Sequence, residues 1–237
     1  MSGVLGVMGL FSVAEGQMVI TQEASVPTGN VAASHNPADT DHFTNSLVKY
    51  TSASANSGRR IWGQSFYNAE GGQIIDKITL KFANPEVYTP VNTGALGAEM
   101  LMQIFEMPNA ATNSVNFDNA LASWTGNVPL DLSVTSLESP QFLVFDVPDE
   151  FVMEADTYYA FVYQFTGQAS NREIHFAYLG GGAGYTDGRV IYYNLVDGVM
   201  TVQNSTTDLA FVITTIPEPA SLGLLGMAGL FFLYRRK

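Results

Sequence analysis

From about Met18 to Thr214 the apolar residues come in short runs broken by polar ones, and no sustained helical period is present. Strict alternation sends successive side chains to opposite faces of an extended strand, whereas a helix groups them three and four residues apart. The runs predict strands over residues 18–23, 60–67, 74–83, 99–106, 141–147, 157–165, 173–179, 189–194 and 208–214. In the third run the alternation places Ile74, Asp76, Ile78, Leu80 and Phe82 on one face. In the sixth it groups Tyr159, Phe161, Tyr163 and Phe165. Gly, Asn and Pro separate most of the runs, as chain reversals require. Pro108 closes the run ending at Glu106 and opens a polar stretch, residues 109–119, expected to be a loop within one domain.

Strand number and spacing over a chain of 237 residues predict an all-β fold, a single β-sandwich of jelly-roll-like order. Composition supplies its core: 46% hydrophobic residues, with 15 Phe and 11 Tyr. Only 14% of residues are charged, against about 25% in an average soluble domain. The balance is acidic, 22 Asp and Glu against 10 Lys and Arg, a net charge of −12. Nucleic-acid binding needs clustered cations to neutralise phosphates, and no such cluster occurs, so that class of partner is excluded. The absence of cysteine excludes disulfides, thiolate metal sites and a cysteine nucleophile together.

The two ends differ from this pattern. Val4 to Val13 is an uncharged run of signal-peptide length, followed by Ala14-Glu15-Gly16 with small residues at the −3 and −1 positions. Cleavage is expected before Gln17, making residues 1–16 a leader. No Lys or Arg precedes the run, so a basic stretch upstream of Met1 is expected. At the other end, Ile216-Pro217-Glu218-Pro219 leads into an uncharged segment, Ala220 to Tyr234, and then Arg235-Arg236-Lys237. As a helix that segment would be about 22 Å long at 1.5 Å per residue. This is short of a relaxed bilayer span, though flanking cations can snorkel to the interface. The terminal cations would remain cytoplasmic, with the bulk of the chain across the membrane.

Pro217-Glu218-Pro219, a short apolar helix and the basic tail Arg235-Arg236-Lys237 resemble the PEP-CTERM sorting signal. The resemblance implies processing at or near the Pro-Glu-Pro by an exosortase-type membrane protease. It further implies a transient stay in the inner membrane and delivery to the cell surface or extracellular matrix. The expected organisation is thus leader 1–16, sandwich domain 17–216, and sorting signal with transmembrane helix 217–237. Gly63-Gln64-Ser65-Phe66, Asp76-Lys77-Ile78-Thr79-Leu80, Thr157-Tyr158-Tyr159-Ala160-Phe161 and Asp208-Leu209-Ala210-Phe211 are similar to jelly-roll domains of surface proteins with this anchor. That likeness implies a sandwich and no particular activity.

Candidate chemistry is sparse. His35, Asp39, Asp41 and His42 could supply metal ligands, but their spacing matches no zinc motif and a solvated loop is the ordinary reading. His175 reads as a packed or surface residue of its strand. Asp149, Glu150, Glu154 and Asp156 form an oxygen-rich stretch of the kind that suits Ca²⁺, without an Asp-x-Asp-x-Asp-Gly loop. Glu23 and Asp208, on the first and last predicted strands, are a second Ca²⁺ pair by analogy with jelly-roll modules. No other cofactor is expected. Gly180-Gly181-Gly182-Ala183-Gly184 lacks the Lys-Ser/Thr of a phosphate loop. No Gly-x-Ser-x-Gly elbow is present, and carboxylate pairs for glycoside hydrolysis cannot be chosen from sequence. Trp62, Trp124, Tyr185, Tyr192 and Tyr193 could stack on sugar rings if exposed, with Trp124 and Tyr185 the leading pair.

The expected function is therefore a non-enzymatic surface or matrix protein with a structural or adhesive role. The alternative is a carbohydrate-binding module for extracellular polysaccharide. A hydrolase comes third. Intact-mass measurement of the surface form is expected to show loss of Arg235-Arg236-Lys237; a mass that retains them would overturn the processing.

Overall fold

The computed structural model describes residues 14–35, 44–50, 57–87, 89–138, 141–148, 151–167, 171–179, 185–196, 199–202 and 207–217. Among these the chain forms strands β1 (Ala14–Gln17), β2 (Val19–Glu23), β3 (Asn30–His35), β4 (Thr44–Tyr50) and β5 (Ser57–Asn68). There follow β6 (Gln73–Lys81), β7 (Glu99–Met107), β8 (Ala122–Asn127), β9 (Phe142–Asp146), β10 (Val152–Met153) and β11 (Thr157–Phe165). The last are β12 (Arg172–Leu179), β13 (Val190–Val196), β14 (Val199–Val202), β15 (Asp208–Leu209) and β16 (Phe211–Pro217). Every predicted strand is present, and the fold is all-β with one short 3₁₀ turn, Phe117–Asn119. Among the described residues no helix is long and apolar enough to cross a membrane. The expected sorting helix lies almost wholly in residues 218–237, outside those described.

The described strands make two sheets. The larger runs β1-β8-β7-β11-β5-β4-β12-β15, with β13 on β5 and β14 on β13; the smaller runs β2-β9-β6-β16-β3, with β10 on β6. Inward-facing residues of both sheets share one core, including Phe66, Trp124, Phe161 and Tyr163 from the larger and Ile78, Leu80, Phe145 and Phe211 from the smaller. Tyr159, Phe161, Tyr163 and Phe165 all point into it, as their alternation predicts.

The pattern in β6 needs correction. Ile75, not Ile74, joins Ile78 and Leu80 in the core, and the half-exposed Asp76 does not share their face. Opposite β16 the register steps from Lys77↔Thr214 to Ile75↔Thr215, so Asp76 is an extra residue in the ladder. A β-bulge of this kind reverses the parity of the strand on one side of it. Lys77 Nζ then lies 3.0 Å from both Asp76 Oδ1 and Asp146 Oδ2.

The larger sheet is buried on both faces near its middle, which is why β11 is apolar at successive positions rather than alternately. Ile61, Phe105, Ala160, Val162, Ile191 and Tyr193 form a second apolar cluster on the outward face, covered by Val115, Phe117 and Ala120. The polar stretch 109–119 is thus a strap. Tyr193 Oη fastens it, accepting from Val115 N at 2.7 Å and donating to Val115 O at 2.8 Å.

Close strand approach fixes one glycine. A Cβ on Gly63 would sit 2.2 Å from the Phe161 carbonyl oxygen and 2.9 Å from Val162 Cγ2. Gly63→Ala must therefore separate β5 from β11, and a loss of about 1–3 kcal/mol is expected from overpacking. Chemical denaturation checks this; an unchanged midpoint and slope would contradict it.

Candidate functional site at the β5–β11 end

Strand alternation on β5 sends Trp62, Gln64 and Phe66 inward and Tyr67 to the opposite face. On the inward side, Trp62 stacks on Tyr192 of β13, its register partner, with centroids 4.4 Å apart and planes 20° apart. Tyr178 of β12 is tilted against the same indole at 5.9 Å. Two residues on, the fully buried Gln64 donates through Nε2 to Asp208 Oδ1 at 2.8 Å. Its Oε1 accepts from Leu209 N at 3.1 Å. Asp208 is itself buried, and Oδ2 accepts from Tyr185 N at 3.0 Å. Burial of a carboxylate is costly unless its oxygens are engaged; charge-assisted donors to both oxygens offset that cost.

Tyr185 closes this end of the core. Its ring meets Phe211 edge-on at 5.4 Å and lies 5.9 Å from the buried His35 of β3. Burial pushes its hydroxyl up to about 12, helped by the charges of Asp187 and Asp208 and opposed by a hydrogen bond from the Tyr67 backbone. On the outward side, Tyr67 faces Tyr158 of β11 across the ladder, rings 4.9 Å apart. Tyr67 Oη donates to Asp156 Oδ1 at 2.7 Å, and this bond, then burial, pushes the pKa of the Tyr67 hydroxyl up. Asp156 adopts φ 54°, in the left-handed region, at the turn into β11. Half-buried aromatic rings, exposed Asp156 and Asp187, and the end of β5 thus converge. Such a surface offers apolar faces with acceptors beside them, a combination suited to polyhydroxylated ligands.

The sequence-predicted residues separate on this frame. Trp124 has no exposed surface and lies in the core beneath β1, so it cannot present a platform to a sugar. Tyr193 is buried under the strap and Trp62 under Tyr192. Tyr185 alone of the leading pair lies at the described end. Tyr67 and Tyr158 were not singled out by sequence; their signal is the pairing of β5 with β11, which no local pattern reveals. Glu23 is exposed at the end of β2 in the smaller sheet, while Asp208 is buried in β15 of the larger. Among the described residues no three His, Cys, Asp or Glu side chains gather as metal ligands. His175 is half-buried in β12, 3.8 Å from Glu173. Asp39, Asp41, His42, Asp149, Glu150 and the glycine cluster fall outside the described residues.

An open groove of about 470 Å³ lies elsewhere, along β1, β7 and β8, lined by Glu15, Gly16, Leu101, Ser123 and Thr125.

At the C-terminus, β16 pairs with β6 as far as Pro217↔Gln73. Residues 215–237 match the family described as the PEP-CTERM protein-sorting motif. The chain carries a PEP-CTERM sorting signal. The PEP-CTERM motif implies export, a transient membrane anchor and processing by an exosortase, and so a secreted, surface-sorted protein. It begins at Thr215, within β16. A search of curated proteins finds no match. Among solved structures, the chain is similar to the cysteine protease and lectin-like domains of Cwp84, a surface layer associated protein of Clostridium difficile. The likeness has 14% identity and a TM-score of 0.36, covering 67% of this chain and 32% of that one. The PEP-CTERM chain therefore spans about a third of the length of that structure.

Asp208→Asn replaces an acceptor oxygen with a donor group facing Tyr185 N or Gln64 Nε2. A destabilisation of roughly 1–3 kcal/mol is expected, equal in Ca²⁺ and in EDTA. A thermal melt in which the wild type gains stability only with Ca²⁺, and the variant does not, would assign Asp208 to a cation instead.

Proposed function

We propose that this is a non-enzymatic cell-surface or extracellular-matrix protein, a jelly-roll-like β-sandwich with a structural or adhesive role. The observation that carries the reading is the continuity of signal and fold. The sorting motif begins at Thr215, inside a strand held between β6 and β3. The folded body and its delivery signal are thus joined without a linker, and the body is what delivery leaves at the surface. The transmembrane helix after Pro217 belongs to the same proposal: it would hold the domain outward until processing. In a strain lacking the chain, matrix mass and surface attachment are expected to fall, with recovery on re-expression. Unchanged matrix and attachment together would sink the structural and adhesive role.

A second reading, a module binding extracellular polysaccharide, is supported by the Tyr67–Tyr158 pair with Asp156 and Asp187 beside it. On a glycan array the exported domain would show specific binding, weakened about tenfold by Tyr158→Ala, equivalent to about 1.4 kcal/mol. The same affinity in Tyr158→Ala and Tyr185→Ala would reject this surface as the site.

A further inference from the structure

We infer that the leader is cut between Ala14 and Glu15, not at the Gly16–Gln17 bond that the sequence pattern first suggests. The inference rests on the reading of Val4 to Val13 as an export leader and concerns where that leader ends. Small residues at −3 and −1 admit both cuts: Ala14 and Gly16 flank one, Ser12 and Ala14 the other. Local sequence cannot choose between them. The fold can.

Strand β1 lies parallel to β8, with Glu15↔Ser123, Gly16↔Trp124 and Gln17↔Thr125 in register. The opposite edge of β8 is taken by β7, so among the described strands β1 is what closes this end of the larger sheet. Gly16 is the centre of the closure. A Cβ added there would meet Pro148 Cγ at 2.9 Å and Trp124 Cδ1 at 3.4 Å, so the bare backbone is packed between the proline ring and the indole edge. Trp124 has no exposed surface, and its indole Nε1 has no hydrogen-bond partner among the described residues. The requirement for glycine here is thus a packing requirement of the folded domain.

The two cuts leave different molecules. Removal of residues 1–16 would take Gly16 off Trp124, strip β8 of its partners at Ser123 and Trp124, and uncover apolar ring surface beside them. An open edge of that kind templates pairing with other chains. Removal of residues 1–14 keeps Glu15–Gln17 in register, retains Gly16 over the indole, and puts the new ammonium at Glu15, an exposed position at the strand start. Only the second cut keeps both the β1–β8 register from Glu15 to Gln17 and the Gly16 packing on Trp124.

Protein purified from the surface of its native host, sequenced from the N-terminus and weighed intact, is expected to begin at Glu15. A start at Gln17, as free glutamine or its cyclised form, would overturn the inference, as would any other cleaved start. Retention of the full Val4 to Val13 run would instead defeat the leader reading itself. Ser12→Phe gives an independent arm. It places a bulky residue at −3 of the Ala14–Glu15 cut and leaves Ala14-Glu15-Gly16 intact. Loss of the wild-type start is expected, with uncut precursor accumulating at least several-fold, whereas Ser12→Phe processed to the same start and extent as wild type would refute the assignment.

Discussion

Residues 207–217 tie the two sheets together, changing sheets at Ala210. Before that residue it pairs with β12 of the larger sheet; after it, with β6 and β3 of the smaller. At the crossing Ala210 N donates to Ala177 O, and Ala210 O accepts from Lys81 N. A strand that switches sheets makes a corner, and a corner must satisfy backbone groups that no regular ladder reaches. Here Gln64 and Asp208 serve that need from within, by holding Leu209 N and Tyr185 N. The same segment then runs straight into the sorting signal, so an element that joins the sheets also joins the fold to that signal.

Aromatic packing follows from this corner. Phe211, placed by the crossing, receives Phe161 at 5.6 Å and Tyr185 at 5.4 Å, and Tyr163 meets Phe176 edge-on at 5.4 Å. Rings in such tilted and edge-on contact fill volume with defined geometry, beyond what their buried area alone contributes. The strap over the outward face uses the same principle at smaller scale. Phe117 lies edge-on to Phe105 and Tyr193, and the Tyr193 hydroxyl secures the backbone that carries it. Among the described residues, Tyr67, Tyr158 and Tyr185 are partly exposed at the β5–β11 end.

Much of the fold was legible because strands with one buried face must alternate. The long alternating runs all became strands. β1, β3, β4, β8, β10 and β14 were missed because they are short or carry small and polar residues, such as Asn30, Ala33 and Ser34 or Ser123, Thr125 and Gly126; their hydrogen-bonding partners make them strands. The face of Ile74 was misassigned because a bulge at Asp76 depends on how β16 lies against β6. Trp124 was misread as a platform because exposure is a property of neighbours: Gly16, Pro148 and the facing sheet bury it, and none is near it in sequence.

By itself the sequence determined the export route of the protein and the class of its fold. A sorting signal is read as a contiguous segment of chain, so its chemistry lies in consecutive residues from Pro217 to Lys237. Alternation likewise follows from local strand geometry. Tertiary structure decided which aromatics face water, that Asp208 is a buried acceptor, that Tyr67 meets Tyr158, and that Glu15 to Gln17 belong to the folded domain. Each of these depends on residues distant in the chain, brought together by strand pairing and by closure of the two sheets around one core.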